Sequence, residues 1–333
     1  MSISESSIGL SDIRFIDLFC GIGGFRLAME EAARRAGFGA RCVLSSDIDE
    51  NCRRAYRENF EELPRRDIRE ISDRNVPDCD FLLAGFPCQP FSIIGEGKGF
   101  ADAVNGTLFF EILRILKSKR PRAFLLENVK RLVSHQQGRT LDIIVRSLND
   151  LGYAVHHKVL NALDFGLPQK RERLFIFGYR GGKGGAFLWP EGGVRMKPLD
   201  AVLERDEEVP EKYFASEYIR QKRLAAHVPT HFPAIWHENK GGNVSSHPFS
   251  CALRAHASYN YLLVNGKRRL TPREMLRLQG FPDSYKIVCS GEQTRTQAGN
   301  SLPVPVAREI LVEAFRRYFG KSEDGANGRS GSE

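Results

Sequence analysis

Phe15-Ile-Asp-Leu-Phe-Cys-Gly-Ile-Gly-Gly24 reads as a buried strand that ends in a glycine turn and opens a helix running to about residue 35. Glycines in such a turn let a ligand approach the backbone closely. A dinucleotide fingerprint of the form GxGxxG requires a further glycine where Arg26 stands, which weakens a nicotinamide reading. What remains is a nucleoside-containing cofactor. Working outward, residues 42–46, 80–84 and 123–126 are short apolar runs, and helical patterns over 51–59 and 108–116 separate them. Residues 140–151 carry apolar positions at helical spacing, and 153–160 and 173–177 read as further strands. Alternation of this kind predicts an α/β domain, a Rossmann-like, mainly parallel sheet with helices on both faces.

The alternation stops after residue 178. The stretch 181–265 is rich in Gly, Pro and His with short irregular apolar runs, and reads as a smaller domain. Residues 1–180 then form the catalytic and cofactor-binding part, and 266–320 return to it. Thr271 as N-cap, Pro272 at the first helical position and Glu274 in a capping box predict a helix over 271–279, and a closing helix covers 304–319. The Ser/Gly-rich tail 321–333 is expected to be disordered.

Composition narrows the class. A net charge of +8 fits a polyanionic partner such as nucleic acid. The seven cysteines are scattered, with no CxxC pair, which argues against a disulfide framework and against zinc. His227 and His231 have the spacing of a metal pair, but Pro229 lies between them and no HExxH accompanies them, so no metal is expected. The opening MSISESSIGLSD lacks the basic start of a signal peptide, and no apolar stretch approaches the ~20 residues a membrane span needs. A cytoplasmic protein with reduced thiols is the expectation.

Four segments carry chemistry. Asp47 and Asp49 follow the second strand, where a carboxylate either accepts from ribose hydroxyls or caps the next helix. Cys88 sits in Ala84-Gly-Phe-Pro-Cys-Gln-Pro-Phe-Ser92, at a strand end and between two prolines, before the glycine-rich loop 95–99. A lone cysteine is ordinarily a small buried hydrophobe; this setting suits an active-site nucleophile beneath a mobile lid. Glu127, in Leu125-Leu-Glu-Asn-Val129, projects from the carboxyl edge of the sheet, where a partly dry pocket raises its pKa and fits it to share a proton with a ring nitrogen. Arg171 and Arg173 stand two apart in an extended segment, hence on one face, either as a solvated cluster or as forks aimed at a carbonyl oxygen and phosphates.

Taken in order, Phe19-Cys-Gly-Ile-Gly23, Pro87-Cys-Gln89, Glu127-Asn-Val129, Gln169 to Arg173, Leu278-Gln-Gly-Phe-Pro-Asp283 and Gln297-Ala-Gly-Asn-Ser301 resemble the bacterial DNA (cytosine-5) methyltransferase family, of restriction-modification type. The resemblance covers residues 15–312. It implies S-adenosyl-L-methionine as methyl donor and Cys88 as the nucleophile that adds to carbon 6 of a flipped-out cytosine. Glu127 would then hold ring nitrogen 3 and Arg173 the 2-carbonyl oxygen, with Arg171 beside it in the catalytic set. The cofactor site implied is Phe19, Gly21, Gly23, Asp47, Ile48, Asp67, Ile68, Pro87, Leu108, Asn300 and Leu302. Ile48 departs from the family's usual aromatic residue over adenine.

By the same resemblance the partner is double-stranded DNA, gripped in a cleft beside 181–265, with the target base out of the stack. Gln89, Ser92 and Lys98 are the expected DNA contacts near the nucleophile; Arg254 and Asn243, with His247 and Asn260, are candidates for base contact. The family's Thr-Leu pair is missing here, and Cys251-Ala-Leu-Arg254 is the nearest match. A monomer is expected, with a cognate restriction endonuclease linked by function and not by contact. The alternatives are the same chemistry on transfer RNA cytosine, and a catalytically silent DNA-binding homologue. The GFPCQPFS form and the intact Cys88, Glu127 and Arg173 speak against them.

Overall fold

In β1 (Asp12–Leu18), Phe15 enters one apolar layer while Ile16 and Leu18 enter another. Side chains alternate across a strand, so a strand covered on both faces shows the near-continuous apolar run that the sequence carries. The computed structural model describes residues 12–87, 108–181, 185–255 and 257–319. The strands that follow are β2 (Gly39–Ser46), β3 (Phe81–Gly85), β4 (Ala123–Val129), β5 (Tyr153–Asn161), the short β6 (Gln169–Lys170) and β7 (Glu172–Arg180). Six of them form one sheet in the order β2-β1-β3-β4-β7-β5. From β2 to β4 every pairing is parallel, and β7 runs antiparallel to both β4 and β5. The expected Rossmann-like sheet is present, with one reversed strand, β7, beside the edge strand β5.

Helices α1 (Gly24–Arg35) and α2 (Glu50–Phe60) cover the layer that holds Phe15, Phe81, Leu125 and Phe177. Helices α3 (Leu108–Lys119) and α4 (Arg139–Asp150) cover the opposite layer, around Ile16, Leu82, Phe124 and Ile176. Arg26, which breaks the dinucleotide fingerprint, holds two helices together. It bonds Glu30 and Glu62 at 2.8 and 2.7 Å and lies 4.7 Å over the Phe60 ring, tying α1 to the end of α2.

Within 181–265 lie α5 (Glu217–Ala226), β8 (Ile235–Glu238), β9 (Val244–His247), β10 (Ser250–Cys251) and β11 (Leu262–Val264). β11, β8 and β9 form an antiparallel sheet around the buried Trp236, and β10 pairs with β6. The chain then enters α6 (Pro272–Gln279), α7 (Gly291–Asn300) and α8 (Val304–Tyr318). The capping box of α6 forms as predicted, with Thr271 N donating to Glu274 Oε2 and Glu274 N to Thr271 Oγ1. Glu274 also meets Arg268 at 2.9 Å, both side chains sealed from solvent, and Arg268 reaches back to Asp206 and the Glu204 carbonyl. α8 packs on the α1 side of the main sheet, where Phe315 meets Phe38 and Phe81. Two helices lie outside the sequence expectation. α5 buries only Arg223 and α7 carries no apolar stripe, so neither has the periodic signal that reveals a helix. No helix among the described residues is long and apolar enough to cross a membrane.

Candidate active site

The turn after β1 alternates left-handed residues: Phe19 at φ 54°, Gly21 at 53° and Gly23 at 83°. Gly23 needs glycine twice over, since its φ suits no branched residue and a Cβ there would collide with the Phe60 ring. At Gly21 a Cβ would meet open space, because the turn borders a cavity. The Gly21 amide donates to Asp47 Oδ2 at 2.8 Å, and Asp47 Oδ1 accepts the Asp49 amide at 2.8 Å. Asp49 uses its own carboxylate to cap α2 through Asn51 N and Cys52 N. Of the two roles the sequence left open for these acids, capping falls to Asp49 alone. Asp47 braces the glycine turn at the cavity wall, its pKa raised by burial against the pull of those two amides.

That cavity is about 600 Å³ and runs along the carboxyl edge of β1, β2, β3 and β4. Open α/β sheets bind ligands at this edge. Phe19, Gly21, Asp47, Ile48, Asp67, Ile68, Pro87, Leu108, Asn300 and Leu302 all line it. Gly23 does not; it is turned against Phe60 instead. Ile48 is 66% exposed and offers a bare apolar surface at the cavity. Asp67 accepts from Arg69 N at 2.9 Å and pairs with the Arg69 guanidinium, which holds its carboxyl below the usual range. An open glycine turn, carboxylates and an uncovered aliphatic face around one long cavity fit an adenosine-bearing cofactor such as S-adenosylmethionine.

At the far end of the same cavity stand Glu127 and Arg173, with Arg173 Nε 2.9 Å from Glu127 Oε1. Burial raises the Glu127 pKa, and Arg173 followed by Arg171 pulls it back down. Asn128 donates to the Phe86 carbonyl at 2.9 Å, fastening the chain where it leaves β3. Gly85 lies in register with Glu127, so β3 delivers Phe86 and Pro87 to this edge.

Arg171 does different work from Arg173. The chain breaks out of strand pairing at Arg171, between β6 and β7, and its side chain is wholly buried. Its guanidinium donates to the carbonyls of Leu253 (2.8 Å), Gly299 (2.8 Å) and Ser301 (2.5 Å). Of the two readings the sequence left open for the pair, a solvated cluster is excluded for Arg171, whose guanidinium is a fork on main-chain carbonyls.

Cys88, Gln89, Ser92 and Lys98 lie outside the described residues, as do the loop 95–99 and the tail 321–333. Arg254 is exposed and 4.7 Å from the Tyr261 ring centroid. Asn243 sits in the exposed turn between β8 and β9, its amide bonded to Asn239 Oδ1. His247 stacks on Phe249, and Asn260 accepts from Arg223 and Arg269. His227 Nε2 is 2.8 Å from Ser246 Oγ. Asn128, Gln297 and Ser301 also line the cavity. They lie inside the motifs Glu127-Asn-Val129 and Gln297 to Ser301, and only the fold shows that they face the ligand space.

The profile of the C-5 cytosine-specific DNA methylases matches residues 13–316. The chain is 55% identical over 305 residues to Type II methyltransferase M.NgoBI of Neisseria gonorrhoeae, covering 91% of each chain. It is 53% identical to Type II methyltransferase M.HaeII of Haemophilus aegyptius, covering 90% of this chain and 92% of that one. The crystal structure of S. pombe Dnmt2 methyltransferase shares the fold, with a TM-score of 0.69 at 21% identity over 91% of this chain and 98% of that chain. With this match and a cavity fitted to the cofactor, the chain belongs to the C-5 cytosine-specific DNA methylase family and is a DNA (cytosine-5)-methyltransferase that uses S-adenosyl-L-methionine as methyl donor.

Proposed function

We propose that the enzyme methylates carbon 5 of a cytosine flipped out of duplex DNA, within one short sequence, through a transient covalent bond to Cys88. The observation that carries this reading is the Glu127–Arg173 pair at one end of a cavity whose other end holds Asp47, Ile48 and Asp67. Carbon 5 of cytosine is a poor nucleophile. Addition of the Cys88 thiolate to carbon 6 pushes electron density through the ring to nitrogen 3, where the Glu127 carboxyl supplies a proton. The raised pKa of Glu127 favours the protonated form needed there. Arg173 holds Glu127 in place and presents N–H donors to the 2-carbonyl oxygen. S-adenosylmethionine, when bound, supplies the sulfonium methyl that the activated carbon takes up. Loss of the carbon 5 proton and expulsion of Cys88 restore the aromatic ring.

In this reading 1–180 and 266–320 perform catalysis, and 181–265 reads DNA, with Asn243 and Arg254 among its contacts and Gln89, Ser92 and Lys98 beside the extruded base. Carbon 5 and carbon 6 are hard to reach inside a duplex, which is the argument for base flipping. The enzyme acts as a cytoplasmic monomer. The Type II methyltransferases among its relatives support a modification role beside a cognate endonuclease that it need not touch.

The test has two parts. Expression in a host lacking cytosine methylation, followed by genome-wide mapping of 5-methylcytosine, should reveal uniform modification at one motif. A duplex carrying 5-fluorocytosine at that motif should then trap the protein covalently when the methyl donor is present, and Cys88→Ser should bind the donor without forming the adduct. Near-normal turnover by that variant refutes the mechanism.

A further inference from the structure

Arg254, Arg269 and Arg295 come from three separate segments: the loop after β10, the turn after β11, and α7. All three line a second recess, of about 160 Å³, together with Tyr259 and Tyr261. Arg254 lies 4.7 Å from the Tyr261 ring centroid, while Arg269 and Arg295 lie 4.4 and 5.0 Å from that of Tyr259. Among the described residues none of the three has a carboxylate within ion-pair distance, although Glu292 also lines the recess. Among the described residues, Nε of Arg269 and of Arg295 is buried with no hydrogen-bond acceptor. Arg269 donates to the Lys212 carbonyl and to Asn260 Oδ1, and Arg295 to the Ala257 carbonyl at 3.2 Å, which fixes both guanidinia against the Tyr259 ring. Arg254 makes no side-chain hydrogen bond among the described residues and keeps its N–H edge for an anion. Four cations, Lys212 included, against the single acid Glu292 make the recess strongly positive, which suits a multi-oxygen anion.

The recess is coupled rigidly to the cofactor cavity. Arg295 lines the recess, while Gln297, Gly299 and Asn300 of the same α7 line the cavity. A Cβ on Gly299 would collide with the Arg254–Ala255 backbone, so helix and loop touch main chain to main chain. Arg171 joins the same two elements through the carbonyls of Leu253 and Gly299.

We propose that Arg254, Arg269 and Arg295 hold a backbone phosphate of the bound duplex, and so fix where the duplex lies relative to the target-base cavity. The proposal rests on the reading of duplex DNA as substrate. Phosphate contacts set register and carry no sequence information, so this assigns Arg254 to positioning and not to base readout. The shared chemistry is a phosphate group, and free inorganic phosphate is the other source.

The test measures binding of a short labelled duplex by fluorescence anisotropy over a range of salt, for the full chain and for Arg254→Gln, Arg295→Gln and Arg254→Lys. Each lost phosphate contact should flatten the slope of log affinity against log salt by about 0.9. Both glutamine variants should show that change with several-fold weaker binding, Arg254→Lys should recover most of the slope, and S-adenosylmethionine affinity should stay unaltered throughout. Arg254 is exposed, so its variants keep the fold. Unchanged slopes in both glutamine variants overturn the proposal. So does a recess that serves free phosphate alone, seen as phosphate-dependent thermal stabilisation lost in the variants with duplex binding intact. A wild-type chain that binds S-adenosylmethionine but no duplex overturns the DNA reading itself, a result distinct from either.

Discussion

Arg173, at the start of β7, reaches Glu127, at the end of β4, because the two strands run antiparallel. Glu127 stands opposite Phe175, and Arg173 is its diagonal neighbour two residues along on the same face. Were β7 parallel to β4, its first residues would lie at the opposite edge of the sheet, away from the cavity. The reversed strand thus assembles the candidate acid and its cationic partner. It also sets their balance, burial pushing the Glu127 proton on and the guanidinium pulling it off.

That balance has a pH signature. If the protonated Glu127 serves nitrogen 3, activity falls as pH rises through the folded-state pKa of Glu127. Arg173 lowers that pKa, so Arg173→Gln should move the alkaline limb of the single-turnover rate to higher pH while reducing the maximal rate about tenfold or more. An alkaline limb that stays in place would assign the titration to another group.

Arg171 and Arg173 should separate by phenotype. Arg171→Ala strands three carbonyls that the buried guanidinium now satisfies, at a cost of about 3 kcal/mol, or a melting temperature lower by roughly 5–10 °C. Arg173→Ala should lower methyl transfer with a much smaller thermal shift. Equal melting losses in the two would contradict this division of roles, as would an Arg171→Ala protein of wild-type stability.

Ile48 leaves room for improvement at the cofactor. Ile48→Phe should tighten S-adenosylmethionine binding about two- to tenfold, since an aromatic contact contributes about 0.5–1.5 kcal/mol beyond area alone. Titration calorimetry with the purified chain reads this directly, and weaker binding would place adenine elsewhere in the cavity.

Asp17 offers a test on stability. It is fully buried beneath α1 and α2, and neither carboxyl oxygen has a hydrogen-bond partner of good geometry among the described residues. Burial raises its pKa well above the ordinary carboxylate value, with Arg26 and then Tyr56 opposing. An acid whose folded-state pKa is raised keeps its proton when folded and releases it when unfolded. Stability is therefore lost as pH rises from about 4, the unfolded carboxyl range, through the folded value. Asp17→Asn carries no such proton, so it should melt higher than the parent at neutral pH, with the gain shrinking toward pH ~4. Melting curves at both pH values check this; a variant destabilised equally at each would show that the carboxyl is firmly bonded after all.

The sequence by itself determined the local pieces. The inner strands β1, β3, β4 and β7 announce themselves as apolar runs because both faces are covered, and the Thr271–Glu274 box marks its helix because capping involves only neighbouring residues. The strand-end positions of Asp47 and Glu127, and with them the cavity edge, follow from the same local pattern. Only the tertiary structure decided which distant groups meet. It reversed β7 and so brought Arg173 to Glu127, and it drew Arg171 onto carbonyls far along the chain. It turned Gly23 against Phe60 and folded α7, a helix without an apolar stripe, against the β1 turn and the Arg254 loop. Periodicity and capping are read over one or two turns of chain. Strand direction, buried polar contacts and the convergence of Arg254, Arg269 and Arg295 depend on packing between segments that share no local pattern.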